Sequence, residues 1–192
     1  MLREQYRMHP SICALISEAV YCGKLKTPEN VVFSKEKLAG LPPFEGKALI
    51  FCDTATTNPY ITRPRNSFSR ISPYSAAISS NLALKCVEDG EKKGFKVSVG
   101  IITPYRAQAK LISKMIADEK PDSSNIVAST IHSFQGSERD CIIFDLVEGE
   151  PLDPGKLTKG SFKNSEQGRL ITSNFKSYWK IYSSRKQQIY RI

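Results

Sequence analysis

Apolar residues recur along the chain at two spacings, and the alternation between them predicts a mixed α/β fold. In "SICALISEAVYCGK" (residues 11–24) they fall on one helix face, with Ser11 as a cap and Gly23 as a stop. The segments "SPYSAAISSNLALKCVEDGEKKG" (72–94) and "YRAQAKLISKMIADEK" (105–120) repeat the helical spacing, and Ser72 caps the first of them. Three helices are therefore predicted in these segments.

Four short apolar runs, in contrast, predict buried strands. They are "KALIFCD" (47–53), "FKVSVGIITP" (95–104), "NIVAST" (125–130) and "DCIIFDLV" (140–147). From residue 47 the order is strand, helix, strand, helix, strand, strand, which predicts a three-layer α/β domain with a largely parallel sheet. Ligands of such sheets lie at the carboxyl ends of the strands, so Thr103–Gln108 and Thr130–Glu138 are the first places to seek a site.

Two segments lack regular periodicity. The segment "TATTNPYITRPRNSFSRI" (54–71) carries Arg63, Arg65 and Arg70 without a carboxylate, so it is predicted to be an exposed basic loop that either touches phosphates or is merely solvated. From 148 to 168 the pattern gives way to residues typical of a loop, rich in Gly, Pro and Lys.

Charge and composition narrow the function classes. The 192 residues carry a net charge of +9, which favours a polyanionic partner such as nucleic acid or a nucleotide but does not separate a binding face from a solvated surface. The five widely spaced cysteines suggest neither a metal site nor a disulfide framework, so reduced thiols are expected. With neither a signal peptide nor a membrane-spanning apolar run, a cytoplasmic location is predicted, or a nuclear one in a eukaryote.

Chemistry-bearing residues concentrate in "STIHSFQGSERD" (129–140). The side chains of Thr130, His132 and Ser133 can donate to a phosphate oxygen, and Gly136 allows a backbone to approach a ligand closely. Glu138 can accept from a ribose hydroxyl or hold the turn through backbone N–H groups. Taken alone, the segment is equally consistent with an ordinary polar turn at a strand end.

Two further segments carry candidate ligand-binding groups. In "VGIITPYRAQ" (99–108) a strand runs into a helix start, where amides and the Thr103 hydroxyl can hold a phosphate and Tyr105 can stack on a base. In "QYRMHP" (5–10) Arg7 precedes a helix, a placement that suits an arginine finger as well as a surface ion pair.

Together, and in this order, the three segments resemble the second RecA-like motor domain of superfamily 1 helicases. The similar branch includes the nonsense-mediated-decay RNA helicase and the lagging-strand nuclease-helicase. "QYRMHP" is similar to its R-M-H-P signature, "VGIITPYRAQ" to its I-T-P-Y-x-x-Q motif, and "TIHSFQGSERD" to its T-V-x-x-F-Q-G-x-E-x-D motif. The resemblance covers residues 2–170 and implies a RecA-like fold of the P-loop NTPase type.

The resemblance also implies roles for individual residues. Arg7 would be catalytic, contacting the ATP γ-phosphate from across a cleft. The residues implied beside the nucleotide are Gln135, Gly136 and Glu138, and those implied along the path of single-stranded DNA or RNA are Thr103, Pro104, Tyr105, Thr130, His132 and Ser133. The implied cofactors are ATP and Mg²⁺, and no residue of this chain is expected to bind the metal itself.

No G-x-x-x-x-G-K-[ST] phosphate loop occurs in the 192 residues, so the chain is expected to be a C-terminal lobe whose N-terminal partner lobe lies elsewhere. That absent lobe would hold most of the Mg²⁺ contacts. Alone, the chain is expected to be inactive as an ATPase. There are two alternative hypotheses: the chain is a non-catalytic nucleic-acid-binding or regulatory module, or it is the product of a degenerate gene fragment.

The final segment, "ITSNFKSYWKIYSSRKQQIYRI" (171–192), departs from the family. Family members continue with a helix that carries a second arginine and then an apolar strand, whereas this basic, aromatic segment offers neither. Codons for Asn174 to Arg185, read one base later, permit Ile-Ser-Arg-Ala-Ile-Gly-Lys-Phe-Ile-Val-Ala, the missing pattern. We therefore expect a lobe at 1–170 and an aberrant, frameshifted and poorly ordered tail at 171–192, against the literal reading of a nucleic-acid-binding tail.

Overall fold

The structure is a computed structural model that describes residues 3–31, 38–42, 45–54, 57, 60–148, 152 and 190–191. The chain forms two compact units, one containing the described residues up to Asp53 together with Tyr190 and Arg191, and the other running from Thr54 to Gly155. Each unit is described by itself. None of the helices in these residues has the length and hydropathy of a membrane-spanning segment.

The first unit contains helix α1, Pro10–Tyr21. Its cap is His9, whose ring Nδ1 accepts a hydrogen bond from the Ser11 N–H, and not the predicted Ser11. The start lies earlier than expected because proline suits the first helical position, where its missing N–H is not needed. The helix ends at Tyr21, and the next residues, Cys22 and Gly23, have left-handed φ angles of 51° and 74°, so the chain leaves the helix at the predicted stop.

The first unit also holds a short parallel pair of strands, β1 (Cys52–Asp53) and β5 (Tyr190–Arg191). The predicted strand over 47–53 is therefore realised as a regular strand only at its last two residues. Most of the 171–192 segment lies outside the described residues, and so does most of the predicted loop over 148–168.

The second unit has the predicted helix and strand order. Helix α2 spans Pro73–Lys92, and the Ser72 hydroxyl accepts from the Ser75 N–H at 3.3 Å, as its predicted cap should. Helix α3 spans Arg106–Glu119. A four-residue helix that periodicity did not predict, α4 (Ile131–Phe134), follows the third strand. It is too short to show a helical repeat of apolar positions.

A three-stranded parallel sheet forms the centre of this unit. Its strands are β2 (Val99–Thr103), β3 (Ile126–Thr130) and β4 (Cys141–Phe144), in the order β3-β2-β4. The helices between parallel strands and the central position of β2 confirm the predicted α/β class and agree with a RecA-like domain. Thr103 lies opposite Thr130, so the two predicted sites share one sheet edge.

The two faces of β2 pack differently. A Cβ atom added to Gly100 would lie 2.4 Å from Cζ of Phe134 and 3.0 Å from Cδ1 of Ile142, so this face receives the Phe134 ring because position 100 has no side chain. Successive residues of a strand point to opposite faces, and Ile101 is therefore directed to the other face. The apolar core of the unit includes Ala76, Ala83, Val87, Val97, Val99, Ile101 and Ile112.

All five cysteines are free thiols. Two of them, Cys86 of α2 and Cys141 of β4, are neighbours, and their interaction lowers the pKa of Cys86 and, together with burial, raises that of Cys141. The neighbouring thiols connect the helix to the edge strand.

Candidate nucleotide and nucleic-acid site

At the carboxyl end of β2, three side chains from distant parts of the sequence form one cluster. A guanidinium nitrogen of Arg70 lies 2.8 Å from a carboxylate oxygen of Glu148, and the Tyr105 hydroxyl donates to the other carboxylate oxygen at 2.9 Å. The Arg70 guanidinium also lies over the Tyr105 ring, 5.5 Å from its centroid. Tyr105 is therefore held by Glu148 at its hydroxyl and by Arg70 over its ring face.

The cluster corrects the prediction that all three arginines of the 54–71 segment are exposed. Arg63 and Arg65 are exposed, but Arg70 is only 3% exposed. The prediction for Arg70 was wrong because it considered only carboxylates within the segment, whereas the partner of Arg70 is 78 residues away. A buried guanidinium requires such a partner.

The phenol of Tyr105 has a raised pKa in this cluster. Burial and the Glu148 carboxylate raise its pKa to about 12, because both disfavour a negative charge on the phenol, and nearby Arg70 and Arg63 oppose the change only in part. The hydroxyl therefore stays a hydrogen-bond donor at neutral pH.

Gln108, at the start of α3, holds a buried polar network behind this cluster. Its side-chain oxygen accepts from the Ser72 N–H at 2.9 Å, and its nitrogen lies 2.8 Å from a carboxylate oxygen of Asp145 and 3.0 Å from the Ser75 hydroxyl. The side chain is fully buried. One amide therefore links the cap of α2, the first turn of α3 and the residue after β4.

Asp145 is the carboxylate of that network. Its burial raises its pKa, and hydrogen bonds from Gln108 and Ser75 act in the opposite direction because they favour the charged form. Its backbone N–H donates to the Ile102 carbonyl at 2.9 Å. The residue extends the contact between β2 and β4 past the end of β4.

The carboxyl end of β3 is arranged in the opposite way. Phe134 is buried, but the side chains around it are solvent-exposed, including the predicted site residues His132, Ser133, Gln135 and Glu138. Gly136 has a φ of 85°, a backbone conformation that favours glycine, and a Cβ added there would meet no atom of the described residues within 4 Å. The turn thus leaves open space beside its backbone.

The last residue of the third motif lies at the amino ends of the strands, away from this turn. Asp140 accepts hydrogen bonds from the Ser98 N–H and hydroxyl at 2.9 and 2.6 Å, and its own N–H bonds to the same hydroxyl at 3.1 Å. These bonds join the starts of β4 and β2. Asp140 therefore has a structural role, at the sheet edge away from the candidate site.

A groove of about 280 Å³ lies between α3 and β3. Within the described part of the chain its lining is basic and hydroxyl-bearing and holds no carboxylate; it includes Arg106, Ala109, Lys110, Ser113, Ala128, Ser129, Thr130 and Ser133. Two of these residues, Thr130 and Ser133, were predicted from the sequence and hydrogen-bond to each other through their hydroxyls at 3.0 Å. The donors suit a phosphate group.

A second cleft, of about 310 Å³, has a mainly apolar lining. It contains His132 and Gln135 from the predicted site together with Ile102, Ile131, Phe134 and Phe144. His132 and Ser133 therefore line different depressions, although they are adjacent in sequence.

The first motif segment, 5–10, lies in the first unit, where a buried glutamine shapes the loop that carries Arg7. The Gln5 side-chain oxygen accepts from the backbone N–H groups of Arg7 and Met8 at 2.9 and 2.6 Å. Its nitrogen donates to the Met8 carbonyl at 2.8 Å and to the Thr27 hydroxyl. The backbone of Arg7 is thereby fixed while its side chain is exposed.

The structure thus brings together the predicted residues of the second and third motifs at one sheet edge. Thr103 is fully buried, and its hydroxyl accepts from the Tyr105 N–H at 3.4 Å, so its implied strand contact stays a prediction while its observed contact holds Tyr105. Pro104 and Tyr105 are half-buried. The interactions of Arg70 and Glu148 were missed because no local pattern marks them.

The comparisons with known proteins agree with the motifs. A family model described as an AAA domain matches residues 1–174. Among similar proteins, "Regulator of nonsense transcripts 1" of Dictyostelium discoideum is 32% identical, with 90% of this chain and 13% of the relative covered. "Probable helicase senataxin" of Mus musculus is 28% identical, with 77% of this chain and 5% of the relative covered.

A third similar protein is described as a DNA replication ATP-dependent helicase/nuclease. The protein is from Gallus gallus and is 29% identical, with 76% of this chain and 13% of the relative covered. The chain thus spans a small part, between 5% and 13%, of each of these three relatives.

Proposed function

Because the chain belongs to the AAA domain family, in its superfamily 1 helicase branch, we propose that it is the C-terminal motor lobe of an ATP-dependent nucleic-acid helicase or translocase. The observation that carries the proposal is the shared sheet edge, where an exposed turn lies beside a basic, hydroxyl-lined groove. In open α/β sheets this edge binds ligands.

The turn after β3 has the chemistry expected for one side of a nucleotide site. Gln135 and Glu138 expose an amide and a carboxylate, groups that can hydrogen-bond ribose hydroxyls, and the space beside Gly136 allows close approach to the backbone. ATP with Mg²⁺ would supply the phosphoryl group that is hydrolysed. Mg²⁺ would be held mainly by the partner lobe, and among the described residues no three His, Cys, Asp or Glu side chains are grouped to hold a metal.

Arg7 is proposed as the catalytic residue. A guanidinium can stabilise charge on a phosphoryl group in the transition state only if its position is set beforehand. The four hydrogen bonds of Gln5 fix the loop backbone, which limits the conformations that the exposed Arg7 side chain must lose on engaging a phosphate. Gln5 is thus proposed as a positioning residue.

The single-strand path is proposed to run along the carboxyl edge of the sheet. Thr130, His132 and Ser133 would contact the sugar-phosphate backbone, and Pro104 and Tyr105 would form an apolar surface for a base, with Thr103 beneath them. Backbone contacts carry little sequence information, so weak sequence preference and strong salt dependence are expected. A cytoplasmic or nuclear location is part of the same proposal.

The test mixes the chain with a phosphate-loop lobe of a relative and measures ATP hydrolysis with and without single-stranded nucleic acid. The chain alone should be inactive, and the mixture should respond to nucleic acid. Arg7→Ala should lower the stimulated rate by about 10³-fold or more, because an arginine finger supplies that much. Arg3→Ala, at an exposed arginine just before this segment, is the matched control and should change little.

The outcomes separate the motor from its two alternatives. If nucleic acid binds but Arg7→Ala leaves the ATPase unchanged, the chain is a non-catalytic binding or regulatory module. If neither nucleic-acid binding nor ATP hydrolysis is detected, the result favours the hypothesis that the chain is the product of a degenerate gene fragment. Sequencing the gene tests the proposed frameshift, because codons for residues 174–185 that do not encode the family pattern in the shifted frame contradict it.

A further inference from the structure

Three exposed cations form a row along one face of α3. Arg106, Lys110 and Lys114 are four residues apart, so they lie one above another with a rise of about 6 Å per step. None of the three forms an ion pair with a residue in the described part of the chain. The row therefore presents its charge to solvent.

The row borders the groove between α3 and β3. Arg106 and Lys110 line the groove together with the hydroxyls of Ser113, Ser129, Thr130 and Ser133. The Ser113 hydroxyl lies 3.5 Å from the Ala128 carbonyl oxygen, a contact between α3 and β3. Cations and hydroxyls thus line a single surface.

We infer that the row of Arg106, Lys110 and Lys114 binds the sugar-phosphate backbone of single-stranded nucleic acid and extends the proposed path from the strand ends along α3. This inference rests on the proposed function and adds contacts that the three motifs do not assign. The rise between cations is close to the separation of successive phosphates in an extended strand, so each cation faces one phosphate.

The chemistry of the row fits a backbone ligand. Its guanidinium and ammonium groups attract phosphates by charge, and the neighbouring hydroxyls can donate to phosphate oxygens. The next position on the same face is Asp118, an exposed carboxylate that repels phosphate. The row therefore covers about three phosphates and ends at Asp118.

The experiment measures binding of the full 192-residue chain to fluorescein-labelled oligothymidylate and oligouridylate by anisotropy over a range of KCl concentrations. Neutralising the row with Arg106→Gln, Lys110→Gln and Lys114→Gln should weaken binding and reduce the slope of log K against log[KCl] by about 2, roughly 0.7 for each lost contact. The two oligonucleotides distinguish DNA from RNA as the source of the backbone.

The matched control neutralises three cations of the first unit that form no ion pair with a described residue, with Lys24→Gln, Lys26→Gln and Lys47→Gln. These positions are also exposed, and the change in net charge is the same. The control should keep the wild-type slope. Thermal melting of both triple variants checks that each is folded, which is expected because the substituted side chains are on the surface.

Each outcome decides the inference. A slope change confined to the row variant supports it, whereas equal changes in both variants show a net-charge effect and overturn it. If wild type binds and the row variant binds with an unchanged slope, the inferred role of the row is wrong but the proposed lobe function stands. If wild type binds neither oligonucleotide, the row and the nucleic-acid part of the proposed function fail together.

Discussion

The carboxyl ends of β2 and β3 lie side by side in one sheet, yet they are built differently. At the end of β2, Tyr105 and Gln108 have charged or polar partners from segments far away in sequence. At the end of β3, Gln135 and Glu138 are exposed, and the buried Phe134 is the main anchor of the turn. The end of β2 is therefore a fixed support, whereas the end of β3 is an exposed surface.

The largest expected effect comes from comparing one residue type at the two strand ends. Gln108→Ala should lower the free energy of unfolding by about 2–4 kcal/mol, because the Ser72 N–H loses its partner and the buried Asp145 loses a donor. Gln135→Ala, at an exposed position, should change it by less than about 0.5 kcal/mol. Urea denaturation of both variants measures the difference, and equal losses would contradict the contrast between a fixed support and an exposed surface.

A smaller effect is expected where the turn after β3 packs on the central strand, at the contact of Phe134 with Gly100. Gly100→Ala should cost about 1–3 kcal/mol, because the new Cβ would lie 2.4 Å from the ring and the core cannot absorb it without movement. Hydrogen exchange should increase mainly over 131–138, since Phe134 anchors that turn.

The control for Gly100→Ala is a second substitution that removes the clash. Phe134→Leu lacks the ring atoms nearest the added Cβ, so Gly100→Ala should cost less in that background than in wild type. Strictly additive losses would show that the ring is not what makes alanine unfavourable at position 100.

The smallest effect concerns the Tyr105 phenol at alkaline pH. Its pKa of about 12 exceeds the ordinary value of 10.0, so between these values the folded state keeps a proton that the unfolded state releases, and stability falls as pH rises through this range. Glu148→Gln should lower the phenol pKa toward 10, because it removes the negative charge beside the hydroxyl.

Tyrosinate absorbance follows this titration, and the difference from Tyr105→Phe isolates one phenol among the eight tyrosines. Glu88→Gln, an exposed carboxylate on α2, serves as the control and should leave the Tyr105 pKa unchanged. An unchanged pKa in Glu148→Gln would show that burial alone sets it.

Sequence patterns predicted the helices and strands of the second unit because apolar periodicity is a local property. Ser72 was correctly assigned as a cap for the same reason, since a cap and its helix are neighbours in the chain. The regular strand before the first loop was predicted too long, and α4 was missed, because two to four residues carry too little periodicity.

The candidate site was predictable only where its members are close in sequence. The segments 99–108 and 129–140 were placed at the same sheet edge from the rule for parallel strands, and the register of Thr103 with Thr130 confirms that placement. The roles of Arg70 and Glu148 were not predictable, because 78 residues separate them and neither stands in a recognisable motif.

By itself, the sequence determined the order of elements and motifs, and with them the family, because spacing along the chain is enough to define both. Tertiary structure alone decided that Arg70 is buried against Glu148, that Gln108 links three elements, and that the turn after β3 is exposed. The physical reason is that burial and long-range pairing depend on which segments the fold brings together, and a buried charge is stable only when that fold supplies its partner.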